Sequence, residues 1–458
     1  MIISNNSSSK IILFIVAVSH FFMPYMITTI NIALPAIGSE FSIDAVILNW
    51  VASAYLLASA MFLIPFGKLA DIYGRKKIFT IGFIVFTVAT ILAATSTSAF
   101  MLILFRFIQG TGGAMISSTA IAIIASVTPL AERGKALGII VAVVYIGQTA
   151  GPLIGGVLTQ HFGWRSIFYT LVPLCTVLIV LIFRKIKEEW VEENAEKFNY
   201  TSSVIYCVTF LLIMYGLSLV PETTSIVFII LGVLGFLYYL WRENRVKNPL
   251  IEVSLFRKNR VFAFSNLAAL ISYSATYAVI FLLSLYLQYI LGLSPQMAGL
   301  ILMSKAIVQS IFSPAAGSLS DRIDPKMLAS AGMALSAIAL FMMAFMNTET
   351  SLLYVIIALV ILGLGIGLFV SPNTNAIMSS VEQKYYGVSS ATLATTRSLG
   401  QLFSMAIVML LFALLIGKVE ITPLYYDAFL VASRVSFIVF GLLCFLSIFF
   451  SQARGSLR

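Results

Sequence analysis

The chain has 458 residues, 60% of them hydrophobic and 10% charged, with a mean hydropathy of +1.02. That balance excludes a water-soluble chain. Fourteen bilayer crossings at about 20 apolar residues each would use roughly 280 residues, which leaves no length for a receptor ectodomain or a catalytic head. The net charge of +10 is carried in short loops between apolar runs, so it reads as a topology signal and not as a nucleic-acid surface.

The apolar runs predict an all-α integral membrane fold. Six fall near 11–35, 45–66, 78–94, 99–122, 136–158 and 167–183. The first follows MIISNNSSSK, is too long for a signal-peptide core and lacks a cleavage pattern, so it is expected to be retained as a span. A polar segment, Arg184 to Lys197, holds four bases and five Glu and reads as a solvated linker. Two spans follow near 200–220 and 224–241, then a basic stretch from Arg242 to Arg260. Six more lie near 261–291, 296–316, 327–346, 352–371, 388–416 and 429–450.

Orientation follows from the bases. With the N-terminus inside, 22 of the 28 Lys and Arg fall on the inner side, and Arg165, Lys418 and Arg434 on the outer. The last three, Arg106, Lys305 and Arg397, lie within spans. Both termini are therefore expected in the cytoplasm. Cys175, Cys207 and Cys444 each sit in an apolar run without paired spacing, which predicts neither disulfide nor metal site. No cofactor is expected.

The chain also repeats. Gly67-Lys-Leu-Ala-Asp71-Ile-Tyr-Gly74-Arg75-Lys76-Lys77 stands between spans two and three, and Gly317-Ser-Leu-Ser-Asp321-Arg322-Ile-Asp-Pro-Lys326 between spans ten and eleven. Each opens with Gly, has Asp four residues on and ends basic, which points to two duplicated halves.

On these residues the sequence resembles the major facilitator superfamily, and within it the fourteen-span drug:proton antiporter family of the multidrug efflux type. The resemblance covers essentially the whole chain. It implies two six-helix bundles, 1–184 and 261–458, separated by 185–260 with its charged linker, two additional spans and basic loop. The loop Gly67, Asp71, Gly74, Arg75 matches the superfamily's signature, and with Asp321 and Arg322 it implies a gate at which Asp71 pairs with bases across the half interface. Arg106-Phe-Ile-Gln109-Gly110 resembles the family's second motif. A charge at mid-bilayer costs roughly 2.5 to 3.5 kcal/mol, so Arg106 should face the protein interior or a wet cavity. Gly147, Gly151, Pro152, Gly155 and Gly156 resemble the antiporter motif, a smooth and bendable helix face that seals one side of a cavity. Trp164-Arg165, Asn248-Pro-Leu-Ile-Glu252, Ser371-Pro-Asn373-Thr-Asn375 and Ala394-Thr-Thr-Arg397-Ser-Leu-Gly400-Gln401 are similar to further stretches of the family.

The first span departs from the pattern. Asn31 and Pro35 are in place, but Met26 occupies the position where the family keeps an acid. All eighteen acidic residues can be placed in loops or at span ends, which leaves no carboxylate inside the membrane. His20, Lys305 and Asp71 are the proton-coupling candidates. By helix geometry His20 points about 120° from Met26 and shares a face with Asn31. Lys305, Gln309 and Ser313 share one face of span ten, and Tyr273, Tyr277, Ser284 and Gln288 fall on one stripe of span nine. The expected substrate cavity lies between Met26, Asn31, Tyr55, Arg106 and Gln109 on one half and Tyr273, Tyr277, Gln288, Lys305, Gln309, Arg397 and Gln401 on the other.

The function implied is secondary active efflux of amphipathic small molecules by alternating access, driven by the proton gradient, from a monomer in the cell membrane. A uniporter or a carrier of anionic or zwitterionic substrates is the rival in the same fold. A membrane enzyme acting on lipid-linked substrates would need an acid, base, nucleophile or metal cluster that two distant His and no carboxylate cluster do not supply.

Overall fold

A computed structural model describes residues 6–128, 133–191, 197–247, 249–251, 253–382 and 386–455. The helices are α1 (Asn6–Phe41), α2 (Ala45–Tyr73), α3 (Arg75–Ala94), α4 (Ala99–Val127), α5 (Arg133–Phe162), α6 (Ser166–Lys185), α7 (Tyr200–Ser218), α8 (Thr223–Glu243), α9 (Val253–Lys258), α10 (Arg260–Thr276), α11 (Val279–Leu285), α12 (Pro295–Leu319), α13 (Pro325–Ala344), α14 (Leu352–Ser379), α15 (Tyr386–Leu415) and α16 (Tyr426–Ala453). Among the described residues there are fourteen spans and no strand. Asn248, Glu252 and Lys384 lie outside the described residues.

Helices form because a backbone donor left bare in lipid costs several kcal/mol, and the sequence caps the ends that would be bare. Asp44 accepts from the Ile47 amide at 2.8 Å, Asn199 from Ser202 at 3.0 Å and Asn259 from Phe262 at 2.9 Å. Apolar side chains exposed along α8, including Ile226, Ile230, Leu234, Leu237 and Trp241, form a face that water would not tolerate and acyl chains would.

In the first half α1 packs on α5, and α4 on α2 and α3. In the second, α14 packs on α12 and α13, and α16 on α10 and α13. The halves meet along α5 against α12 and α2 against α15. The inserted pair α7 and α8 pack on each other, and α7 touches both α2 and α15. Tyr206 on α7 donates to the Ala60 carbonyl of α2 at 3.1 Å, and Phe210 rests on Phe403 of α15.

The ninth span is not the continuous helix that the sequence suggested. Its helix breaks at Tyr277 and Ala278, and Tyr286–Ile290 winds as a π-turn. The Ala278 amide donates to Ser404 Oγ at 2.9 Å, so a side chain of α15 satisfies a donor at the break.

Candidate functional site

An even number of spans places the first turn of α1 and the last turn of α16 at one end of the bundle, called here the termini end. Hydrogen bonds between the halves, among the described residues, run from mid-depth to the opposite end. Tyr145 Oη and Ser313 Oγ are 2.6 Å apart, and Ser313 is 2.8 Å from Ser371 Oγ. Thr149 and Ser310 face each other at 3.4 Å. Nearer the opposite end Ser284 donates to the Asn31 carbonyl at 2.6 Å, Gln288 to Ile32 at 3.0 Å and Asn49 to Met405 at 3.2 Å. At the rim the Gln296 amide donates to Gln160, and the Ala45 amide to the Val419 carbonyl.

Small residues make this closure possible. A Cβ on Gly156 would stand 2.5 Å from the Pro295 carbonyl oxygen and 2.8 Å from Gln296 Cα, so α5 and α12 meet backbone to backbone there. Gly147, Gly151 and Gly155 turn the neighbouring face of α5 to α1, against Phe21, Thr28 and Thr29, while the Pro152 carbonyl backs onto Gly299 of α12.

The expected cavity residues separate into two sets. Met26, Tyr55, Arg106 and Gln109 are fully buried inside the first bundle, and Asn31 nearly so. Arg106 Nη1 donates to Gln109 Oε1 at 2.6 Å, Gln109 Nε2 donates to Thr90 Oγ1 at 2.7 Å, and the guanidinium lies 4.7 Å from the Tyr55 ring centroid. Among the described residues Arg106 Nη2 and the Tyr55 hydroxyl are buried without a hydrogen-bond partner. The second set borders the seam. Tyr273, Tyr277, Arg397, Gln401 and Tyr145 are half-buried. Arg397 stands 5.3 Å from the Tyr273 ring centroid.

Lys305 is 6% exposed on α12, in line with buried Gln309 and Ser313, and its ammonium has no partner among the described residues. His20 Nδ1 bonds to the Val16 carbonyl at 3.0 Å, the arrangement of a packing histidine.

Three side chains have partners that the sequence does not show. Gln288, in the π-turn, takes part in the seal by donating to the Ile32 carbonyl of α1. Asp71 pairs within its own half: its Oδ1 accepts from Arg75 at 2.8 and 2.9 Å, while Arg75 also donates to Ser126 Oγ at 3.0 Å. Glu243, the last residue of the eighth span, is a buried acid only 3% exposed; its carboxylate accepts from the Leu250 and Ile251 amides. At the corresponding end of the second half Asn375 donates to Ser320 and to Asp321, and Arg322 is exposed. No local pattern in the sequence marks Tyr145, Thr149, Ser310 or Glu243. A polar residue on an apolar helix is readable, but its partner on another helix is not.

Two helical bundles that close on each other through a polar seam at mid-depth are the build of a membrane transporter, not of an enzyme. The chain belongs to the Major Facilitator Superfamily, whose family profile matches residues 16–405 and 265–454. It is 31% identical over 438 residues to the riboflavin transporter RibZ of Clostridioides difficile (strain 630), covering 96% of each chain. It is also 31% identical to the multidrug efflux pump LfrA of Mycolicibacterium smegmatis (strain ATCC 700084 / mc(2)155), over 81% of this chain and 75% of that one. Solved folds agree. A peptide transporter POT in complex with sulfate superposes with a TM-score of 0.68 at 13% identity, covering 95% of this chain and 94% of that one. A bacterial homolog to the human lysosomal transporter Spinster gives 0.66 at 20%, covering 98% of each.

Proposed function

We propose that this protein carries neutral or anionic amphipathic aromatic molecules across the cell membrane by alternating access, in the export direction and driven by the proton gradient. The observation that carries the charge preference is the set of buried or half-buried cations, Arg106, Lys305 and Arg397, with tyrosines beside two of them. No carboxylate partner for these three lies among the described residues. A permanent cation brought among them would meet like charge in a medium where desolvation strengthens repulsion. Stacked or edge-on aromatic rings suit planar substrates, and Lys305, with no partner of its own, is the group placed to meet an anion or a proton. Efflux is supported by the printed functions of relatives such as LfrA. The positive-inside bias supports a cytoplasmic termini end, so the conformation described here is sealed on the outer side.

A second reading, a transporter of riboflavin, is favoured by the full-length similarity to RibZ. The test is transport by purified protein in vesicles loaded in turn with riboflavin, fluorescein and ethidium, with and without an imposed pH gradient. Lys305→Met is expected to weaken fluorescein movement and spare riboflavin. Equal rates on all three probes in the parent and the variant would remove Lys305 from the substrate path.

A further inference from the structure

The signature loop depends on a residue far from it in sequence. Helix α3 opens with Arg75-Lys76-Lys77, three cations at the positive end of the helix dipole, where charge of that sign is unfavourable. Its N-cap residue, Gly74, makes no side-chain cap bond. The first amides of α3 are met instead by the linker that follows α6. Arg75 N donates to the Trp190 carbonyl at 3.0 Å, and the Glu189 carboxylate accepts from Lys76 N at 2.8 Å and Lys77 N at 3.2 Å. Gly74 has φ +112°, and a Cβ there would stand 2.5 Å from Glu189 Cδ and 2.6 Å from Oε1. The side chain that Gly74 lacks is the space the carboxylate fills.

We propose that Glu189 caps α3 from the linker and so fixes the signature loop. An ordinary cap is Ser, Thr, Asp or Asn at the N-cap position. Here that position must turn through a φ open to glycine, so the acceptor comes from elsewhere in the chain. The same carboxylate brings a negative charge to the helix end that the basic loop would otherwise destabilise. Once the start of α3 is fixed, Arg75 is held on Asp71 of α2 and Ser126 of α4, and three helices are tied at the termini end. This inference rests on the family assignment and is independent of which substrate is carried.

The test is residue-resolved hydrogen exchange on the full-length protein in detergent micelles, comparing parent, Glu189→Gln, Glu189→Ala and Gly74→Ala. Exchange at Lys76 and Lys77 is expected to accelerate about two- to thirty-fold in Glu189→Ala, the range that loss of a helix cap implies. Glu189→Gln, which keeps the shape and one acceptor oxygen, is expected to protect only one of the two amides, and α13 and α16 should exchange as in the parent. Because Gly74→Ala already expels the carboxylate, adding Glu189→Ala to it should change nothing further. Unchanged exchange at Lys76 and Lys77 in both Glu189 variants would overturn the proposal. So would an increase spread evenly over the whole molecule, or losses that add in the double variant.

Discussion

The closure at the opposite end can be opened by one methyl group. A Cβ on Gly156 would meet the Pro295 carbonyl oxygen at 2.5 Å and Gln296 Cα at 2.8 Å, both backbone atoms that cannot rotate away. Helices α5 and α12 must then separate, and overpacking of this kind costs about 1–3 kcal/mol. At 1.4 kcal/mol per factor of ten, the balance between sealed and opened states moves about 5- to 150-fold. The assay is the rate at which maleimide labels a cysteine placed at Ala298, fully buried on α12, with Cys175, Cys207 and Cys444 replaced by alanine. If labelling waits on opening, Gly156→Ala raises its rate by that factor. Gly138→Ala on the same helix has nothing within 4 Å of its new Cβ and serves as the control. Labelling at the parent rate in Gly156→Ala, or an equal increase in Gly138→Ala, would refute the reasoning.

Two further outcomes follow. The Lys418 ammonium holds the Glu222 carboxyl below its ordinary value of 4.5, so the tie between these loops is complete above that value and is lost as pH falls through the lowered one. Exchange at the neighbouring Ala45 amide, corrected for intrinsic rate, should therefore be steady from pH 8 to 6 and quicken only in acid below about 4.5; a change near neutral pH would contradict this. For topology, a cysteine at Lys187 should resist an impermeant thiol reagent applied to intact cells, and one at Glu349 should react. The reverse pattern would invert the orientation.

The fourteen spans and the two halves were legible in the sequence because lipid leaves an unambiguous record: long apolar runs, bases gathered in alternate loops and a repeated Gly-x-x-x-Asp loop. The burial of Arg106 and Lys305 was legible for the same reason, since a charge inside an apolar helix has to turn inward. What could not be read was which helix each polar group meets. The run around Tyr277 contains neither Gly nor Pro, so nothing local marks the break that turns Gln288 onto α1; Ser404, which meets the broken helix's amide, comes from another span. Asp71 is expected to pair across the halves when the termini end is closed; in the conformation described, sealed at the opposite end, it pairs with Arg75 one helical turn away, whose guanidinium also donates to Ser126 of α4. Glu189 was read as one acid of a solvated linker, since its function exists only where that linker passes the start of α3.

The measurement that tests the account most directly is transport of ethidium and fluorescein by the unmodified protein in vesicles, at equal concentration and with the same imposed pH gradient. Met26→Asp is run beside it. The account predicts that the parent moves the fluorescein anion and moves ethidium poorly, and that Met26→Asp gains ethidium transport that rises with the gradient, because a carboxylate buried in the same bundle as Arg106 offsets its positive charge. Strong gradient-driven ethidium transport by the unmodified protein would contradict it.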